Sequence, residues 1–183
     1  RNRGVTYWAG GDDRRILHTA GHFLFALDAR TGRPIPAFGD GGRVDFNEGL
    51  GRDTTKMSLH SSTTPGALFE NLCILSIRTN EGPGPSAPGH VRAFDVRTGK
   101  RLWIFHTIPQ PGEFGFNTWE GDSASYTGNT GVWAQMTVDE ELGLVYMPVE
   151  LPTGDYYGGH RPGNTLFGES LVCVDLATGQ RKW

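Results

Sequence analysis

Two cysteines in 183 residues are too few for a disulfide framework. Cys73 and Cys173 both stand inside apolar, strand-like runs, where a free cysteine behaves as a small buried hydrophobe. Long hydrophobic runs are missing as well. Leu72 to Leu75, followed by Ile77, is among the longest, and it is strand-sized, far short of the roughly 20 residues of a membrane-crossing helix. The net charge is only −3 and the basic residues are scattered, so the chain carries no electrostatic footprint for nucleic acid or an anionic membrane. No P-loop, dinucleotide fingerprint or Gly-x-Ser-x-Gly elbow occurs, which removes the footholds of phosphate, nicotinamide and serine-hydrolase chemistry. His18 and His22 would share a helix face, but they flank Thr19-Ala20-Gly21 in a strand–turn–strand context. On a strand that spacing is roughly 13 Å, too far for one zinc ion.

Glycine is abundant: 27 of 183 residues, about twice its usual share of roughly 7%. A chain that must turn this often fits many short strands better than long helices. One element recurs three times: Ala26-Leu27-Asp28-Ala29-Arg30-Thr31-Gly32, Ala93-Phe94-Asp95-Val96-Arg97-Thr98-Gly99 and Cys173-Val174-Asp175-Leu176-Ala177-Thr178-Gly179. In each, apolar alternation leads into a turn where Asp and Thr can bond nearby backbone N–H groups and Gly supplies a positive φ. A tryptophan follows the glycine by four residues in the second and third copies, Trp103 and Trp183; the first copy has Pro36 there and Phe38 shortly after.

The expected hairpins lie near 23–38, 91–105 and 171–183. Their glycines are 67 and 80 residues apart, longer than the roughly 40 to 50 of a four-stranded propeller blade, so insertions are expected over Gly39–Thr54 and Thr107–Gly131. Radial repetition of small sheets leaves only short, protected edges. The expected fold is therefore all-β, a β-propeller, with 1–183 as a single partial propeller domain of about three blades. The absence of an initial Met and the stop at Trp183 in mid-pattern suggest a piece of a longer chain.

The Ala-x-Asp-x-x-Thr-Gly-x-x-x-Trp hairpin resembles the tryptophan-docking motif of the eight-bladed pyrroloquinoline quinone (PQQ) dehydrogenases, which oxidise methanol, ethanol or glucose. Non-catalytic propeller scaffolds of bacterial outer-membrane assembly carry similar repeats, so the hairpin alone leaves a scaffold as the alternative. Other stretches extend the resemblance over essentially the whole chain. Arg3, within Asn2-Arg3-Gly4-Val5-Thr6-Tyr7-Trp8, resembles the arginine that grips a carboxylate of the quinone, a task suited to the planar guanidinium fork. Thr63, in Ser61-Ser62-Thr63-Thr64-Pro65, falls at the family's quinone-bonding threonine.

The strand from Leu72 to Ile77 runs into Arg78-Thr79-Asn80-Glu81, where the family ends in Gly-Ala-Glu. By the resemblance, Arg78, Thr79 and Asn80 border the cofactor and Glu81 is a Ca²⁺ ligand, hard oxygen for a hard cation. Trp133 falls at the indole that floors the quinone ring. Val149-Glu150-Leu151 departs from the family's Gly-rich, asparagine-bearing segment, and Glu150 is the residue there that could substitute. The resemblance further implies an alcohol or sugar substrate, electron transfer to a cytochrome or ubiquinone, a periplasmic location, and a catalytic aspartate that has no match here.

Overall fold

The structure, a computed structural model, describes residues 3–55, 57 and 64–183, and the backbone of 59–61. Alternating burial, the signature of period-two side chains, runs through the first strands, β1 (Thr6–Gly10), β2 (Asp13–Ala20) and β3 (Phe23–Asp28), which a fourth, β4 (Arg43–Asp45), completes. They form one antiparallel sheet in sequence order. Next come β5 (Leu59–Ser61), β6 (Ala67–Phe69), β7 (Leu72–Leu75), β8 (Ile77–Thr79), β9 (Val91–Asp95) and β10 (Arg101–Phe105). The second sheet has the order β10-β9-β7-β6, while β5 and β8 pair as a separate ribbon. After a single helical turn, α1 (Ser123–Tyr126), a third sheet is built from β11 (Thr137–Asp139), β12 (Leu144–Val149) and β13 (Ser170–Asp175), with Arg181 bridging to Val174. The three sheets are three propeller blades. Among the described residues no helix is long and apolar enough to cross a membrane.

The middle blade is buried on both faces, which explains why its strands are nearly continuously apolar. Cys73, Leu75 and Phe94 face one core with Trp8, Leu17, Leu24 and Phe38 of the first blade. Ile74, Val91 and Ala93 face a second core with Val145, Met147, Val172 and Val174 of the third. Both cysteines are free and buried, and burial pushes the Cys73 thiol up to about 12.

The three repeat turns share one hydrogen-bond pattern. Asp95 Oδ1 accepts from Arg97 N at 3.0 Å, Thr98 N at 2.7 Å and Thr98 Oγ1 at 2.8 Å. Asp28 and Asp175 do the same for their own turns. The closing glycines have φ of 69°, 75° and 70°, where an L side chain is strained.

Two of these turns receive donors from the preceding blade. Trp103 Nε1 donates to Leu176 O at 2.9 Å, and its indole packs on Gly179 so closely that a Cβ there would meet ring atoms at 2.7 Å. The turn of the second blade is held by Arg15, which donates to Val96 O and Arg97 O, and by Gly39 N, which donates to Thr98 O at 2.9 Å. Phe38 is fully buried, so Phe38-Gly39 occupies the docking place held elsewhere by tryptophan. Trp183 is 54% exposed, with Tyr146 6.0 Å away between ring centroids.

The first hairpin differs from its expected span. Arg33 O and Ile35 N bond β3, but the chain then turns, and the outer strand is β4 at Arg43–Asp45, inside the stretch expected to be an insertion. Pro34 and Pro36 cannot donate to a ladder, which is why regular pairing waits for the residues after Gly42.

Candidate active site

Strand parity decides what the segment after β7 presents. Ser76 interrupts the run: its hydroxyl donates to Gly89 O at 2.6 Å and accepts from Val132 N at 2.9 Å. Beyond it Ile77 and Thr79 point inward and Arg78 outward. The Arg78 guanidinium grips Glu81 through Nε, 3.0 Å from Oε1, and through Nη2.

A second segment is laced to this one. Asn129 and Thr130 adopt φ of 56° and 57°, and the loop they form is zipped to the chain after β12: Glu150 N donates to Gly131 O, Thr130 N to Leu151 O, and Thr153 N to Gly128 O. Gly131 permits this approach, since a Cβ there would lie 2.7 Å from Ile77 O. Gly154 N donates to Glu81 O at 2.8 Å, which ties the Glu81 loop to the same scaffold.

This lacing places Arg3, Arg78, Glu81, Trp133 and Glu150 on the wall of one cavity of about 470 Å³. Trp133 is 44% exposed rather than a core residue, and the Arg3 guanidinium lies 5.0 Å from its ring centroid. Two of the expected cofactor residues are not on that wall. Thr79, of opposite parity to Arg78, is buried, with Oγ1 3.5 Å from Asn129 Oδ1. Asn80 turns its Oδ1 back to accept from Gly82 N at 3.3 Å. Thr63 lies outside the described residues.

Asp155, Tyr156 and Glu169 also line the cavity. Asp155 and Tyr156 belong to a glycine-rich loop with no periodicity to betray which way it folds. Glu150 has the most perturbed chemistry. Its Oε1 is buried with no hydrogen-bond partner among the described residues, and its carboxyl is pushed up to about 7, first by burial and then by the negative charges of Glu81 and Asp155. A hydrogen bond from Asn129 and the Arg78 charge oppose that rise without cancelling it.

Comparison with known proteins places these features in context. The chain is 32% identical over 191 residues to the glycerol dehydrogenase large subunit of Gluconobacter oxydans (strain 621H), covering 99% of this chain and 25% of that protein. It is 28% identical over 163 residues to quinoprotein glucose dehydrogenase A of Acinetobacter calcoaceticus, covering 87% and 20%. Among solved structures, the quinohemoprotein alcohol dehydrogenase of Comamonas testosteroni superposes with a TM-score of 0.79 at 26% identity, over 100% of this chain and 26% of that one. The chain thus spans about a quarter of the length of these relatives. Residues 1–183 match the family described as glucose/ethanol/alcohol dehydrogenase, β-propeller domain, a PQQ family, and the chain belongs to it.

Proposed function

We propose that this protein is a PQQ-dependent dehydrogenase that oxidises an alcohol or a sugar hydroxyl. The observation that supports this most is the convergence of Arg3, Arg78, Glu81, Trp133 and Glu150 on one cavity. An assembly scaffold built on the same hairpins needs no such gathering. The residues also suit PQQ and Ca²⁺: a flat tricarboxylated quinone calls for guanidinium forks and an indole face, and a hard cation calls for carboxylate oxygen, which Glu150 Oε1 and Glu81 offer. When bound, PQQ supplies the electron acceptor and Ca²⁺ the Lewis acid that polarises it.

The chain's own residues then have distinct tasks. Trp133 gives the ring a stacking floor. Arg3 and Arg78 hold carboxylates of the ring and fix its orientation, while Glu81 and Glu150 supply negative oxygen to the cation. Arg78 has a second task, holding the Glu81 carboxylate in place through its fork. A cytochrome or ubiquinone as electron acceptor and a periplasmic location accord with this reading.

The test is reconstitution of the purified full-length protein with PQQ, with and without Ca²⁺, followed by dye-linked oxidation of glucose, glycerol and ethanol. The expected result is turnover of at least one substrate that requires both additions and is abolished by EDTA. Turnover of none, in protein that has taken up PQQ, would overturn the proposal.

A further inference from the structure

Arg92 is a charged residue in the wrong place for a solvated one. Parity on β9 puts it on the face it shares with Phe94, toward the core between the first and second blades, and only 1% of its surface is exposed. The guanidinium lies 5.1 Å from the Phe46 ring centroid and 5.7 Å from that of Phe94. Nη1 is satisfied, donating to Phe46 O at 3.0 Å and Glu48 O at 3.2 Å. Nε and Nη2 have no hydrogen-bond partner among the described residues. Buried donors on a charged group are costly to leave unpaired, and burial lowers the Arg92 pKa to about 9.

The two orphaned nitrogens are not an arbitrary pair. In the planar guanidinium, Nε–H and Nη2–H lie parallel on one edge, the edge that receives both oxygens of a carboxylate or phosphate side-on. Arg92 also lines a groove of about 400 Å³ between the first two blades, together with Lys100, Arg101, Asp45 and Glu48. Three cations therefore face two carboxylates. Asp45 Oδ1 is already occupied, accepting from Asn47 N at 2.8 Å and Asn47 Nδ2 at 3.0 Å. None of these residues lines the cavity that holds Trp133.

We propose that this inter-blade groove binds a small oxyanion, a carboxylate or phosphate group, held side-on by Nε and Nη2 of Arg92 and flanked by Lys100 and Arg101. The nitrogens are closed to solvent as they stand, so binding requires a side chain of the groove wall to move. Arg101 is the wall side chain closest to Gly49: its Nη1 donates to Gly49 O at 2.9 Å, and a Cβ at Gly49 would meet the guanidinium. Both blades that frame the groove are complete four-stranded sheets in this chain.

The test is thermal unfolding and calorimetric titration of the full-length protein with sodium acetate and with sodium phosphate, against sodium chloride of equal ionic strength. A saturable rise in Tm with at least one of the two is expected. Acetate alone identifies a carboxylate ligand and phosphate alone a phosphoryl one. Lys100→Ala/Arg101→Ala, on the groove wall, should weaken the binding by about tenfold or more. Arg92→Lys, which keeps the charge and loses the fork, should abolish it; if that variant does not fold, the double variant decides. Arg3→Ala/Arg78→Ala should leave the binding unchanged. No saturable effect beyond chloride, wild-type affinity in the Lys100→Ala/Arg101→Ala protein, or loss of binding in the Arg3→Ala/Arg78→Ala protein would each overturn the assignment.

Discussion

Replacing Trp103 by alanine tests how the blades are held together. The indole is 93% buried, since 7% remains exposed, and Nε1 is bonded to a carbonyl of the neighbouring blade. A buried large-to-small change of this kind costs about 3–5 kcal/mol, and the stranded Leu176 carbonyl lies within that range. The partner change is Gly179→Ala. At φ 70° the new Cβ is strained by about 1–2 kcal/mol, and its overlap with the indole at 2.7 Å adds about 1–3 kcal/mol. With Trp103 already truncated, the overlap vanishes and only the backbone strain remains.

The pair should therefore be non-additive by about 1–3 kcal/mol in a double-mutant cycle measured by equilibrium urea unfolding. Additivity within about 0.5 kcal/mol, or a Trp103→Ala cost below about 1 kcal/mol, would refute the docking argument.

The carboxyl of Glu150, ordinarily at 4.5 and raised to about 7, stabilises the fold least where it is ionised. Stability in calcium-free protein should fall as pH rises from about 4.5 through 7, and Glu150→Gln should be more stable than wild type at pH 8 by on the order of 2–3 kcal/mol, with the gap closing toward pH 4.5. Unfolding midpoints across pH check this, and a variant no more stable at pH 8 counts against it. The turn carboxylates of Asp28 and Asp175 are held below their ordinary value of 3.8, chiefly by the hydroxyls of Thr31 and Thr178. Their contribution is present above that value and lost as pH falls through the folded pKa, so Asp28→Asn/Asp175→Asn should flatten acid unfolding below about pH 4; an unchanged acid limb would exclude these turns as its source. Glu81→Ala should weaken Ca²⁺ binding in the PQQ-loaded protein by about tenfold or more while the fold persists, because a surface pair such as Arg78–Glu81 is worth about 1 kcal/mol or less. Wild-type Ca²⁺ affinity by calorimetry would remove Glu81 from the ligand set.

The parts legible in the sequence are those whose chemistry is local. Asp, Thr and Gly encode the three repeat turns because each makes its bonds within four residues, and the following tryptophan carries the docking of the second blade. The first copy hid its equivalent, since Phe38-Gly39 docks through a backbone N–H and a buried ring that no fixed spacing announces. The three-residue strand Arg43–Asp45 is too short to show alternation, and it was absorbed into an apparent insertion.

At the site, the resemblance points to Arg3, Arg78, Glu81 and Trp133, which do line one cavity, and equally to Thr79 and Asn80, which do not. Thr79 takes its direction from the break at Ser76, held by the distant partners Gly89 and Val132, and Asn80 from its bond to Gly82. The perturbed acidity of Glu150 is likewise a property of burial among Glu81, Asp155 and Asn129, and no local pattern carries it.

The most direct test of the quinone cradle is an equilibrium titration of the metal-loaded apoprotein with PQQ, followed by quenching of tryptophan emission, in wild type, Arg3→Ala and Trp133→Ala. Loss of the stacking face removes about 0.5–1.5 kcal/mol beyond the area it buries, so Trp133→Ala should weaken PQQ by roughly tenfold or more, and loss of the Arg3 fork should weaken it comparably. Wild-type affinity in both variants would contradict the assignment of this cavity to the cofactor.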